Sequence, residues 1–230
     1  TPARVIEAAT TIMDIRASDR VIDPACGTGG FLSEAYIQLL ERAKGPNALA
    51  NARTWAHRNL YGVDKDEINV KLTRAILMSM GDGSVNVLAG DSIREHRWES
   101  DYPRMKLTFD NAQFSVVITN PPFGKNLKVS KGDAERNKYT IAQRGGTGDK
   151  APYHELEIGL VFVERAYRLL EPGGRLGIVL PETYFFSPTY SWFPKWLQSR
   201  FILRGVVNIP MEAFQGFCRA KTNFYVMERI

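Results

Sequence analysis

The chain has 230 residues, of which 44% are hydrophobic, 11% aromatic and 24% charged, with a net charge of +5. That length buries enough apolar surface to fold without staples, and the aromatic and aliphatic content excludes disorder as the main state. Two cysteines far apart, Cys26 and Cys218, exclude a disulfide scaffold; no apolar run nears the ~20 residues of a membrane span, and no signal peptide opens the chain. A cytoplasmic protein is expected.

The charge is unevenly placed. Residues 125–150 hold seven basic side chains (Lys125, Lys128, Lys131, Arg136, Lys138, Arg144 and Lys150) against three acidic ones. Residues 187–230 hold six basic and two acidic, and the remainder is net acidic. Two blocks of this kind are either solvated loops or a surface that contacts phosphates.

Along the chain, short β-branched runs alternate with longer helical stretches, the pattern of a doubly wound α/β sheet. A first strand is expected over 20–23. Beyond a glycine-rich turn, Phe31, Leu32, Ala35, Tyr36, Leu39, Leu40 and Ala43 share one helical face. Residues 45–59 read as an insertion before a second strand at 60–64. A second helix follows Asp66, with Val70, Leu72, Ile76, Leu77 and Met80 apolar, and ends at Gly81-Asp82-Gly83. Strands are expected at 86–89 and 114–119. Residues 124–153, rich in Gly and Lys and without a clear period, read as a second insertion, a functional or mobile loop. A third helix over 155–170 stops at Pro172-Gly173-Gly174, ahead of strands at 175–180, 206–209 and 223–227. There is no internal repeat and no linker, so residues 1–230 form one expected domain with seven strands.

Four motifs carry chemistry. The first is Asp23-Pro24-Ala25-Cys26-Gly27-Thr28-Gly29-Gly30-Phe31-Leu32, a strand end followed by small residues and a helix. Its glycines let the backbone approach a ligand at the carboxyl edge of the sheet. Leu32 stands where a dinucleotide fingerprint needs its third glycine, which disfavours a nicotinamide cofactor. An acid at this strand end would repel a pyrophosphate and suits a cationic ligand. The second motif, Tyr61-Gly62-Val63-Asp64, puts a carboxylate where α/β nucleotide folds hydrogen-bond ribose. In the third, Gly90-Asp91-Ser92, the acid either meets an adenine amine or caps a turn. The fourth, Asn120-Pro121-Pro122-Phe123, follows an apolar strand directly. The Asn120 and Pro121 carbonyls can accept both hydrogens of a planar amino group, and Phe123 offers a face for a ring to stack on.

In these motifs, and in their order, the chain resembles the S-adenosylmethionine (AdoMet)-dependent N6-adenine DNA methyltransferases, most closely the modification subunits of type I restriction–modification systems. Thr1-Pro2 is similar to the end of that family's Phe-Thr-Pro motif, Glu171 to Glu182 to its later strand, and Lys221-Thr222 to its last hairpin. The resemblance implies a Rossmann-like, mostly parallel seven-stranded sheet with an antiparallel last strand. It implies an AdoMet site at Thr1, Pro2, Asp23, Pro24, Ala25, Gly27, Thr28, Gly29, Gly30, Phe31, Asp64, Asp91, Ser92 and Asn120. Catalysis would rest on Asn120, Pro121, Pro122 and Phe123, acting on an adenine extruded from double-stranded DNA. Phosphate contacts would come from Lys125, Lys128, Lys131 and Arg144, in a mobile loop closing over DNA. A specificity subunit and a restriction subunit are the implied partners. The chain is expected to be a catalytic domain excised from a longer protein with helical regions on both sides.

Other chemistries fit less well. Cytosine C5 methylation needs a nucleophilic cysteine, usually after proline, whereas Cys26 follows Ala25 and Cys218 follows Phe217. His57, His96 and His154 show no metal-ligand spacing. Glutamine methylation in proteins uses the same Asn-Pro-Pro-aromatic device, usually with tyrosine. N4-cytosine or RNA amino methylation, and a silent binding or assembly domain of this fold, complete the alternatives.

Overall fold

A computed structural model describes the chain except for residues 82–85, 125, 147–149, 151 and 215–220 and the side chains of residues 146 and 214. In chain order the elements are α1 (Ala3–Met13), β1 (Val21–Asp23), α2 (Gly30–Arg42), α3 (Ala48–Asn59), β2 (Leu60–Asp64), α4 (Glu67–Ser79), β3 (Val87–Ala89), α5 (Trp98–Asp101), α6 (Pro103–Phe109) and β4 (Phe114–Thr119). There follow β5 (Lys128–Ser130), α7 (Lys131–Arg136), β6 (Glu155–Glu157), α8 (Ile158–Leu169), β7 (Leu170–Pro181), α9 (Thr183–Phe186), α10 (Phe193–Gln198), β8 (Phe201–Ile209) and β9 (Thr222–Arg229).

Seven strands form one sheet in the order β3-β2-β1-β4-β7-β9-β8. The first five are mutually parallel, and β9 lies antiparallel between β7 and β8. This is the expected sheet, antiparallel last strand included. The chain runs outward from β1 through β2 to β3, then returns to place β4 on the other side of β1. That reversal opens a crevice at the carboxyl ends of β1 and β4, where open α/β sheets bind ligands.

Helices cover both faces. On one, Met13 of α1 and Phe31, Leu32, Ala35 and Tyr36 of α2 are buried against Val21, Val116 and Ile118. On the other, α8 packs against Phe114, Val117 and Leu176, and is buried on nearly every side. Even Glu164 and Arg165 are buried there.

The structure departs from the sequence reading at both insertions. Residues 45–59 contain α3, whose Trp55 is 4% exposed and donates its indole N–H to the Asp19 carbonyl at 2.9 Å. Within 124–153, β5 pairs antiparallel with β6, and Val129, Ala134, Tyr139, Ile141 and Ala142 enter the core. The described part of this segment is therefore a folded layer over α8 rather than a mobile loop. Glu164 anchors it, accepting from the backbone N–H groups of Thr140 (3.1 Å) and Ile141 (2.7 Å). Alternating apolar positions are too few in so short a pair of strands to show a period.

Other boundaries shift as well. The expected helix over 155–170 begins as β6, because Glu155, Leu156 and Glu157 pair with Ser130, Val129 and Lys128. Strand β7 starts at Leu170 and bulges through Pro172-Gly173-Gly174, so that Phe114 faces Leu170 and Val116 faces Arg175. Strand β8 begins at Phe201 rather than at 206, and α1 was not legible at all.

Candidate active site

The loop after β1 is shaped by two glycines at positive φ, Gly27 (53°) and Gly29 (80°). Gly29 is the N-cap of α2, and a Cβ there would stand 2.5 Å from the Thr73 methyl. A Cβ on Gly27 would meet no protein atom within 4 Å, so it would stand in the space the loop leaves open. Asp64, at the end of β2, fixes this loop. Its Oδ2 accepts from the Gly27 N–H at 2.8 Å, and its Oδ1 accepts from the N–H of Asp66 at 2.8 Å and the Asn69 amide at 3.2 Å. Thr73 donates its hydroxyl to the Gly27 carbonyl at 2.9 Å. Hydrogen bonds to a charged group contribute ~1.5–3 kcal/mol each, so the loop is held firmly.

Asp23 lies beneath the loop and is 1% exposed; its Oδ1 accepts from the Ala25 N–H at 3.0 Å. Burial, with the charge of Asp64 adding to it, raises its pKa to about 7. A cation brought to this carboxyl would be met by a group poised to ionise. Cys26 is buried and its thiol is pushed up, by burial first and then by Asp23 and Asp64, so it is an inert small hydrophobe as expected. Cys218 lies outside the described residues.

At the end of β3, Asp91 both caps a turn and faces a cavity. Its Oδ1 accepts from the Ile93 N–H at 3.3 Å, and its Oδ2 lies 2.6 Å from Arg94 and 3.6 Å from Lys65. Ser92 donates its hydroxyl to the Pro24 carbonyl at 2.7 Å, tying two of the motifs together. Arg94 reaches on to Asp133 of α7 at 2.8 Å. Burial opposes the charge of Asp133, yet Arg94 holds its carboxyl below the usual range.

The loop after β4 is built differently. Asn120 donates its side-chain N–H to the Thr1 hydroxyl at 2.9 Å, while its Oδ1 is buried without a hydrogen-bond partner among the described residues. Leaving a buried acceptor unsatisfied costs ~1–3 kcal/mol, and such atoms are rare enough in folded proteins to call for an explanation. Pro121 is buried, Pro122 exposed and Phe123 half-buried.

Two cavities meet at this crevice. The larger, about 730 Å³, falls within the ~300–1,000 Å³ typical of small-molecule sites. Of the residues expected from sequence, it takes Thr1, Pro2, Pro24, Ala25, Asp64, Asp91 and Ser92 together with the whole Asn120–Phe123 tetrad. The smaller, about 170 Å³, is lined by Asp23, Gly27, Thr28, Gly30 and Phe31 and shares Thr1, Ala25 and Asn120 with the first. Gly29 lines neither. Sequence reasoning missed Lys65, Ile93, Arg94, Ile158, Phe162 and Ala213 in the larger cavity. Ile158 and Phe162 stand one turn apart on α8, but in so apolar a helix a cavity wall looks like core. Lys65 had a signal, since it directly follows Asp64.

The basic residues lie elsewhere. Lys128 pairs with Glu155 at 2.8 Å and Lys131 with Glu135 at 3.8 Å, both at half-exposed positions, and Arg144 is exposed. Lys125 lies outside the described residues. In the second block, Arg204 pairs with Glu228 and Lys221 with Glu182, while Arg229 sits over the Tyr167 ring. Among the described residues no three His, Cys, Asp or Glu side chains come together as a metal-ligand set, and no helix is long and apolar enough to cross a membrane.

Sheet order, glycine loop and tetrad define the fold of the AdoMet-dependent methyltransferases. The family model for N-6 DNA Methylase matches residues 1–229, and the chain belongs to that family. It is 24% identical over 225 residues to the methylase subunit of the type I restriction enzyme EcoEI from Escherichia coli, covering 97% of this chain and 40% of that protein. It is 26% identical over 168 residues to the type II methyltransferase M.VspI of Vibrio sp. (strain 343), covering 73% of this chain and 32% of the relative. The crystal structure of the type I restriction enzyme EcoKI M protein superposes with a TM-score of 0.68 at 20% identity, covering all of this chain and 43% of that one. The chain thus spans about two-fifths of the EcoEI subunit's length.

Proposed function

We propose that this chain transfers the methyl group of AdoMet to N6 of an adenine extruded from double-stranded DNA, as the catalytic part of a restriction–modification system. One observation carries the reading: Asn120, which lines the larger cavity, keeps its Oδ1 buried and without a partner among the described residues, with its amide nitrogen already engaged. An open acceptor on a residue of this cavity suits an amino group, which a domain that only binds or assembles does not require.

AdoMet, when bound, supplies an electrophilic methyl on a sulfonium. The residues fit it. The open face of Gly27 admits a ligand against the backbone, and Asp64, with Asp23 poised to ionise beside a cation, supplies the acidic groups that a cationic ligand requires. Asp64 Oδ2, with one N–H accepted, retains capacity for a ribose hydroxyl. Asp91 would take the adenine end. Asn120 Oδ1 and the Pro121 carbonyl would accept the two hydrogens of the target amine. This favours a tetrahedral nitrogen whose lone pair points at the methyl, so rate comes from positioning. Phe123 would stack on the target base.

Lys128, Lys131 and Arg144 would contact DNA phosphates. The pairing of both lysines does not prevent this, since half-exposed ion pairs are weak and phosphates compete for them. A specificity subunit would supply sequence choice, and a restriction subunit would be a further partner, in the cytoplasm.

The experiment is transfer of tritiated methyl from AdoMet to DNA, RNA and protein in parallel, with digestion of the labelled nucleic acid to nucleosides. Label in N6-methyladenine from DNA is expected. Label in protein glutamine, in N4-methylcytosine or in RNA alone would overturn the reading.

A further inference from the structure

The tetrad's asparagine is useful only in one orientation. An amide turned by 180° would present two N–H donors to a substrate amine that is itself a donor, and a freely rotating amide would present its carbonyl part of the time. Neighbouring residues of the tetrad do not fix it: the hydrogen bond found on the Asn120 side chain goes to Thr1, 119 positions away.

Thr1 is carried there by α1. The Pro2 carbonyl accepts from the N–H groups of Val5 and Ile6, both at 3.1 Å, so the residue before it is placed by the first turn of the helix. Helix α1 is in turn seated against the glycine loop, where a Cβ on Gly30 would stand 2.5 Å from Ile6. Met13, near its other end, is 1% exposed in the core. Thr1 therefore reaches Asn120 from a braced element, and both residues line both cavities.

We infer that Thr1 is a positioning residue: its hydroxyl, by accepting from Asn120 Nδ2, holds the amide so that Oδ1 is the acceptor left for the substrate amine. This rests on the methyl-transfer reading and adds to it a residue that acts through Asn120 rather than by contacting the reacting atoms. The sequence resemblance placed Thr1 among the cofactor residues. The hydrogen bond gives its hydroxyl a different task, and the two assignments separate in kinetics. A hydroxyl needed for cofactor grip shows its loss in AdoMet affinity. One needed for Asn120 shows its loss in the rate at saturating AdoMet.

The test compares Thr1→Val, which keeps the shape and removes the hydroxyl, with Thr1→Ser, which keeps the hydroxyl. In single-turnover methyl transfer at saturating AdoMet and DNA, Thr1→Val is expected to fall about 10- to 100-fold, the loss that misplacing a reacting group by about 1 Å produces. AdoMet Kd should stay within about twofold, Thr1→Ser should recover most of the rate, and Thr1→Val should add nothing in an Asn120→Ala background. An unchanged rate for Thr1→Val, or a loss confined to AdoMet Kd, overturns the inference. A second readout stands apart from activity: the side-chain amide resonances of Asn120 in the ¹⁵N spectrum of the intact chain. Thr1→Val should speed their hydrogen exchange and shift them, and Thr1→Ser should not. Unchanged Asn120 resonances in Thr1→Val reject the positioning role even where the chain methylates a substrate other than adenine, which the nucleoside digest decides by itself.

Discussion

The loops that follow β1 and β4 leave neighbouring parallel strands at the same edge of the sheet, yet they treat their polar groups in opposite ways. In the first, each carboxylate is already engaged by the loop itself: Asp64 accepts from Gly27, Asp66 and Asn69, and Asp23 from Ala25. In the second, Asn120 Oδ1 is buried and has no hydrogen-bond partner among the described residues. A loop that satisfies itself can be rigid before its ligand arrives and bind by shape and charge. A loop that leaves one acceptor open spends stability to keep a specific chemical demand. The first arrangement suits a cofactor that must be held in one pose; the second suits a reacting group whose hydrogens must be drawn into place.

The sharpest way to break this contrast is to remove the unmet acceptor. Asn120→Ala is expected to lower single-turnover methyl transfer by roughly 100- to 1,000-fold, the size of effect seen when one preorganised hydrogen-bonding group is lost. AdoMet affinity should change only a few-fold, and thermal stability should hold or rise because an unsatisfied buried atom is gone. Phe123→Ala should cost less, ~1–3 kcal/mol, and should appear in capture of the target base rather than of cofactor. Equal losses of AdoMet binding in both variants would erase the distinction between the loops.

The opposite perturbation, Asp64→Ala, leaves the N–H groups of Gly27 and Asp66 without their acceptor. It should destabilise the chain by roughly 2–3 kcal/mol, or about 5–10 °C in thermal midpoint, and weaken AdoMet binding together with stability. A calorimetric midpoint unchanged from wild type would show that the glycine loop holds itself.

An effect visible only as a function of pH concerns Asp23, whose pKa rises from the ordinary 3.8 to about 7 on folding. A carboxyl raised in the folded state stabilises most below its unfolded pKa, and that contribution drains away as pH rises through the folded value. Between pH 4 and 7 the wild-type melting temperature should therefore fall relative to Asp23→Asn, which does not titrate and keeps a carbonyl for the Ala25 N–H. Melting curves of the two proteins that run parallel from pH 5 to 8 would remove Asp23 as the source.

The smallest expected change is in DNA binding. Reversing Lys128, Lys131 and Arg144 to Glu should weaken binding and reduce the slope of log K against log salt by ~0.9 for each phosphate no longer neutralised. Because Lys128 and Lys131 already face Glu155 and Glu135, each contributes less than an unpaired lysine would. An unchanged slope would move the phosphate surface away from the insertion.

How much was legible beforehand follows from how local each signal is. The strands at 60–64 and 114–119 matched to the residue, because each is an apolar run stopped by a polar residue or proline. The glycine loop and the tetrad fell into one crevice as expected. Helix α3 did not show, since Ala52, Trp55 and Ala56 are its only buried positions among polar neighbours. The layer made by β5, α7 and β6 did not show either. Its apolar residues are scattered, and they are held by Glu164 and Arg168 of α8, charged side chains whose partners lie 24 and 31 positions away in the chain. The expected mobile basic loop failed for that reason. Ile158 and Phe162 were hidden as cavity residues because burial against a protein core and against a cavity demands the same apolar surface.

By itself the sequence determined the family, the sheet type and the two loops proposed to carry the chemistry. Those features depend on residues adjacent in the chain: glycines that accept positive φ, prolines that stiffen a turn, and an acid or an asparagine where a strand stops. Only the tertiary structure decided which polar atoms those loops leave open. The Gly27–Asp64 bond spans 37 positions and the Asn120–Thr1 bond 119, so both partners are chosen by the order of strands in the sheet and by the seating of α1. A side chain's residue type states what it can bind; its partners across the sheet decide what it has left to offer.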